Sequence, residues 1–514
     1  MPDIRVIPPS VDASATPGAP FVSWAQSLAD HFDRSHLTGQ FVLSYAGAHI
    51  PESWPVRRMG AWQLGTHPAL PVCDIISADG VLLGWFVGWV VATSGRLVGE
   101  RVVSRLTSFS PPADLEAFVY RHGGRFIAVF ALPHLTRVYL DPMGSLGAVY
   151  SPAHGMLAST TSLIPYTLGC DDDNELIAEL GVPRRNGMFP FGLTPRRGVL
   201  RLLPNHTLDM NTWGVVRHWP GGSLDEDVDP ARSVRVVADR VKRVVDAVAF
   251  DRPLYASLTA GHDSRMLAAC TRAAGTRVRF LTIQLPDKMA ELDCEVASAL
   301  AKRLGLDHEV IPFRAASKAE LDEWLWRTGC MVGEHRGLQA TATYHRLDPL
   351  RAELTGQGGA LSRAAHWRSG MRPRNVNTAE LLDSYDIPAT PRMLACAEDW
   401  LDALPTHDVI HVYDLAHIEL WLGCRGSLLP YGDATAVAYR IYPLSHRDVL
   451  EHLIRLPRSY KLAANFPRDL MHAEWPDLLS VPINRTPGAR HYVQSARRRV
   501  WLARRAMARR GINL

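Results

Sequence analysis

Three things are scarce in this chain of 514 residues, and each scarcity excludes a class of protein. Cysteine comes first: the seven present stand at 73, 170, 270, 294, 330, 396 and 424, odd in number and never spaced as CxxC. That scatter argues against a disulfide framework or a zinc ribbon and suits reduced thiols in a cytoplasmic protein. Long apolar runs come second. The apolar run Val81 to Ala92 spans 12 residues and contains two glycines, whereas a membrane span needs roughly 20; it reads as a buried strand. The opening Met1-Pro-Asp-Ile-Arg5 lacks the basic-then-apolar pattern of an export signal, so a cytoplasmic location and no membrane partner are expected. Third, charge of one sign is nearly balanced, at +4 net, so the bulk field makes no case for nucleic acid. The common P-loop is missing as well, because no GxxxxGK[ST] occurs.

What is present is a 47% hydrophobic composition, ample for two or three packed domains. Before about residue 220 the apolar runs are short and turn-separated, at Phe41–Tyr45, Val81–Ala92, Arg125–Leu132 and Arg137–Leu140, which predicts an antiparallel β-rich unit. Pro220–Asp229, with two glycines and four acids, reads as a linker. The texture then changes. Val234, Val237, Val241, Val244, Val245 and Val248 recur at helical spacing and lead into a strand at Leu254–Leu258. A strand at Val278–Leu285, a helix at Ala290–Leu304 ending on Gly305, and a strand at Glu309–Phe313 follow. Alternation of this kind implies a parallel sheet with ligands beyond its C-terminal strand ends. After Ala315 the chain reads as mostly helical, with Trp324, Trp326, Tyr344, Trp400, Trp421 and Tyr460 expected in the core. No internal repeat or long low-complexity tract is present.

The most informative stretch runs from Leu254 to Cys270: an apolar strand breaks at small residues and restarts as a helix led by Asp263 and Ser264. The first N–H groups of a helix have no internal partner and carry partial positive charge, so a small-residue turn there can hold phosphate. The structural alternative is a tight turn with a polar N-cap. Thr259-Ala-Gly-His-Asp-Ser264 resembles the Ser-Gly-Gly-x-Asp-Ser pyrophosphate loop of the ATP pyrophosphatases. Further stretches resemble the asparagine synthetase-like proteins, a group that includes β-lactam synthetases and lasso-peptide cyclases. Gly124-Arg-Phe-Ile-Ala-Val-Phe130, Tyr139–Tyr150 and Leu157-Ala-Ser-Thr160 look like its amidotransferase strands. Leu202–Asp209 with Arg217-His-Trp219 looks like the exit from that domain, Asp293–His308 like the helix after the second synthetase strand, and Leu354–Leu361 like a second active-site loop.

The resemblance implies an N-terminal antiparallel β-sandwich over 1–220, related to glutamine amidotransferases, then an α/β parallel-sheet synthetase domain with a helical C-terminal part over 221–494. A basic helix over 495–514 would end the chain. It also implies ATP and Mg²⁺ as cofactors. Asp263 would be the metal-linked carboxylate, and Ser264 with the amides of Thr259, Ala260, Gly261 and His262 would hold pyrophosphate. Leu258 and Ile283 would flank adenine, Gly356 and Gln357 would close the site, and Tyr439 would line it. Each has a plainer reading: an N-cap for Asp263, a turn residue for His262, core packing for Leu258, Ile283 and Tyr439. Arg265 is either a phosphate partner or a side chain lying along the helix surface.

The departures are chemical. Glutamine-using relatives carry a cysteine after the initiator methionine, whereas this chain has Pro2 and its first cysteine is Cys73, so no glutaminase activity by that route is expected. No carboxylate lies between Thr355 and Ala365: Gln357 stands where relatives place an acid or tyrosine, and Ala360 near a metal-binding aspartate. Tyr439 stands where a glutamate is usual, and Lys461 and Arg468 are the cations nearest the position of a late lysine. Glu334 and Glu419 are candidate replacement bases, or solvated helix residues. The tail Ser495–Arg510, with seven arginines, reads as a solubilising helix or a dock for an acidic carrier or peptide. Two functions are therefore expected as rivals: an AMP-forming amide synthetase joining a carboxylate to an amine, or a non-catalytic relative serving as a partner module.

Overall fold

The computed structural model describes residues 24–47, 49–183, 187–226, 229–344, 347–366, 376–434 and 439–485. The arginine-rich tail lies outside the described residues. The first half holds two sheets. One has six antiparallel strands in the order Leu200–Leu202, Ala148–Ser151, Met156–Ala158, Phe41–Tyr45, Trp62–Thr66 and Val56–Met59. The other has seven, with Gly123–Leu132 and Leu82–Val91 at its centre, and is antiparallel except where Val72–Ile76 meets the edge strand Arg101–Val103.

The uncharged run from Val81 to Ala92 now has a cause. Its strand is buried on both faces: Trp85, Val87 and Trp89 point into the core shared with the first sheet, while Phe86 and Val90 pack under the helix Pro112–Tyr120 with Leu115 and Val119. A strand covered on both sides has no polar face to alternate with.

The valine periodicity becomes the helix Pro230–Asp251, capped by Asp229, whose side chain accepts from the Arg232 N–H at 3.0 Å. It leads into a five-stranded, wholly parallel sheet in the order His308–Pro312, Val278–Gln284, Leu254–Ser257, Ala352–Leu354 and Tyr439–Ile441. Between the first two of these in chain order runs the helix His262–Ala269, and the helix Lys288–Leu304 follows, held between an Asp287 cap and Gly305 at φ +65°. The fold class is as expected: antiparallel sheets first, then a parallel α/β sheet with helices behind it. Chain order reverses between Leu254–Ser257 and Ala352–Leu354, which makes the crevice beyond their C-terminal ends the topological switch point. Among the described residues no helix is long and apolar enough to cross a membrane, and no disulfide joins the seven cysteines.

The antiparallel half joins the rest through buried charge as well as apolar packing. Glu419 is fully buried on the π-helical segment His417–Gly426 and takes Arg217 at 2.6 and 2.9 Å, Asn205 at 2.9 Å and the Trp400 indole at 2.8 Å. It is neither a base nor a solvated helix residue. Asp141 closes a second seam, accepting from Met143, Ser145 and Leu146 amides and from the Ser445 hydroxyl. Burial pushes Glu419 upward, yet Arg217 and the hydrogen bonds leave its carboxyl below the usual glutamate range.

Removing one partner of such a cluster strands the other, so Glu419→Ala is expected to cost about 3–5 kcal/mol in denaturant unfolding, against under about 1 kcal/mol if the cluster is dispensable. The sign with pH follows from the depressed pKa. The contribution is complete above the ordinary glutamate value of about 4.3 and disappears as pH falls through the lower folded value. The stability gap between the native chain and Glu419→Gln should therefore shrink on acidification.

Candidate functional site at the strand reversal

Leu258 continues the central strand into the core, donating to the Leu281 carbonyl at 2.8 Å and accepting from the Thr282 hydroxyl at 2.6 Å. The chain then turns, and Gly261 in extended conformation starts the helix with no side-chain cap. The loop closes on itself before that point. The Thr259 amide is bonded by the Ser264 hydroxyl at 3.1 Å, the Gly261 amide by the Thr259 hydroxyl at 3.2 Å, and the Ala260 amide by the Asp293 carboxylate at 2.8 Å. The expected clasp of the whole loop is thus narrowed. Thr259, Ala260 and Gly261 have their amides engaged and the Ser264 side chain is turned inward, leaving the helix start at His262 and Asp263 as the outward donors. His262 keeps a buried Nδ1 without a partner, and burial followed by the charge of Arg363 holds its imidazole below the usual range.

The second loop lies against this helix start. A side chain on Gly356 would begin 3.0 Å from the Asp263 carbonyl oxygen, and one on Gly359 would begin 2.8 Å from the Asp263 Cγ. Only glycine permits that approach. The loop then delivers Arg363, whose Nη2 reaches the two Asp263 oxygens at 2.9 and 3.1 Å and whose Nε reaches one at 3.3 Å. The side chains of Arg363 and Asp263 retain 30% and 33% exposure, so the pair is worth only about 0–1 kcal/mol and stays accessible from solvent. The exposed Arg468, on the helix Asn465–Glu474, adds positive charge near His262.

Mg²⁺ does not fit these residues as a resident ion. Asp263 already faces a guanidinium, Asp293 is bonded to a loop amide, and Ala360 offers no donor. Among the described residues no three His, Cys, Asp or Glu side chains converge.

Other expected site residues are placed elsewhere. Tyr439 is aligned with Ala352, at the N-terminal end of its strand and thus the far end of the sheet; it lies under Arg252, 3.6 Å from its ring centre, and edge-on to Trp89 at 5.5 Å. The lining role expected for it fails on that register. Leu258 and Ile283 belong to different clusters on opposite faces of the sheet, so they do not form one adenine slot. Arg265 is buried and donates to the carbonyls of Thr259, Leu478, Val481 and Pro482, a strut and not a phosphate ligand. Gln357 directs its Oε1 at Gly426. Lys461 is buried against Asp414.

Arg363, Asp293 and Asn484, whose amide bonds the Ala260 carbonyl at 2.8 Å, were not anticipated at the site. One signal was available: Arg363 is the only charged residue between Thr355 and Ala365.

Comparison with known proteins adds little. No family model and no curated protein matches the chain. Among solved structures, NMN synthetase from Francisella tularensis is similar at 13% identity, over 37% of this chain and 93% of that one, with a TM-score of 0.19. A likeness that low carries no weight for activity.

Because Asp263 fills the space above Gly359, Gly359→Ala should displace it and cost about 1–3 kcal/mol in thermal unfolding. An unchanged melting temperature would show that the two loops do not meet as described.

Proposed function

We propose that the chain binds ATP across the strand reversal and activates a carboxylate as an acyl-adenylate, which an amine then converts to an amide. In that chemistry a carboxylate oxygen attacks the α-phosphorus and pyrophosphate leaves. The amine nitrogen then attacks the acyl carbon, and AMP leaves with the C–O bonding pair. The observation that supports this reading best is the uncapped helix start at His262 and Asp263, placed at the switch point beneath Arg363 and beside Arg468. Fixed amide dipoles and two guanidinium groups at one strand end are what a leaving pyrophosphate needs, since stabilising charge that develops in the transition state accelerates the step.

The amine would arrive free or lie within the substrate itself. Cys73 gives no route to ammonia: it is buried in the strand Val72–Ile76, and burial pushes its thiol up to about 12. The acyl group would come from a small molecule or peptide, and an acidic carrier docking at the arginine-rich tail remains part of the proposal.

One observation favours a second reading, a nucleotide-binding module without turnover. Asp263 is held by Arg363, and the second loop carries no carboxylate of its own between Thr355 and Ala365. The test is a pyrophosphate-release assay across carboxylate and amine candidates. Stoichiometric pyrophosphate and AMP without ADP, abolished by Arg363→Ala, is the expected result. Tight ATP binding with no release for any pair would establish the second reading, and ADP formation would contradict the adenylation chemistry.

A further inference from the structure

We infer that Arg363 takes the place of a protein-bound metal at this crevice, so that the anionic ligand is held by a guanidinium which Asp263 positions. The inference rests on the nucleotide-binding reading and concerns which cation serves it.

The geometry inverts the role expected of Asp263. Its two oxygens receive Nε and Nη2 of Arg363 at 2.9 to 3.3 Å, a side-on bidentate pairing that fixes the plane of the guanidinium. Nη1 makes no hydrogen bond to the described residues, which leaves its two protons for a ligand oxygen. The arrangement depends on what surrounds it. Gly359, having no side chain, lets the second loop pack so tightly on Asp263 that a Cβ there would stand 2.8 Å from the carboxyl carbon, and that closeness brings Arg363 into range four residues later. Ala360 supplies no competing carboxylate, and Asp293 is turned to the Ala260 amide.

Mg²⁺ demands near-octahedral oxygen donors and is usually held by one or two carboxylates plus phosphate. Here the one carboxylate at the helix start is neutralised before any ligand arrives. Arginine suits the alternative, because its charge persists at all working pH values and its fork matches phosphate oxygens.

The two cations predict opposite effects of one substitution. Binding of ATP to the full chain is measured by calorimetry in excess EDTA and again with Mg²⁺, for the native protein, Arg363→Gln, Arg363→Lys and Asp263→Asn, each checked for an unchanged melting temperature. If Arg363 is the cation, ATP binds in EDTA, Arg363→Gln weakens it by about tenfold to a hundredfold, and Arg363→Lys recovers part of the loss. Asp263→Asn then retains binding in EDTA, with a looser affinity from the less ordered guanidinium.

If a metal is the cation, Arg363→Gln frees Asp263 and strengthens binding in Mg²⁺, while Asp263→Asn abolishes it. That pattern overturns the inference and leaves the nucleotide reading intact. Binding in EDTA that is indifferent to Arg363→Gln also overturns it. Absence of ATP binding in both conditions removes the inference together with the function it rests on.

Discussion

The buried carboxylate of Glu419 is the constraint from which the rest of the structure takes its arrangement. It ties Arg217 and Asn205, at the end of the antiparallel half, to a π-helical segment deep in the second half. An ion pair of this kind is weak evidence for stability and better evidence for a fixed geometry, because any shift strands a charge. The same segment carries His417, whose ring meets His366 at 3.2 Å, and Gly426, which faces Gln357. Both contacts fall on the loop that delivers Arg363. The antiparallel half thus acts on the crevice from a distance by holding the helical segment against which the second loop is folded.

At the crevice itself the determining feature is the closeness of two backbones. A parallel sheet whose chain order reverses leaves a gap between neighbouring strand ends, and here both borders are made of small residues: Ala260 and Gly261 on one side, Gly356, Gly358 and Gly359 on the other. Glycine at 356 and 359 lets the second loop touch Asp263, and the contact places a positive side chain over the start of a helix that already carries partial positive charge. Neutralisation by Asp263 limits the repulsion between them. A crevice of this composition suits the ligand with several negative oxygens proposed above.

Much of the fold was legible from periodicity. The valines of Pro230–Asp251 bury the face their spacing predicts, and the strand–helix–strand run to Pro312 lies within a residue or two of expectation. What was not legible had too little pattern or depended on distance in sequence. Ala352–Leu354 and Tyr439–Ile441 are only three residues each and show no period, yet they complete the sheet and create the switch point. Glu419 sits in an amphipathic-looking stretch, and only its partner 202 positions earlier reveals it as a clamp. Tyr439 and the pairing of Leu258 with Ile283 failed because alignment of similar letters does not say which end of a strand, or which face, a residue occupies. The turn at Thr259–Ser264 was recognisable, but its internal hydrogen bonds to Asp293 and among its own side chains were not.

The most direct measurement is a structure of the chain with a non-hydrolysable ATP analogue. Phosphate oxygens are expected within hydrogen-bond distance of the His262 and Asp263 amides and of the Arg363 guanidinium. Density for the analogue away from the strand reversal, with those amides and Arg363 untouched, would contradict this placement.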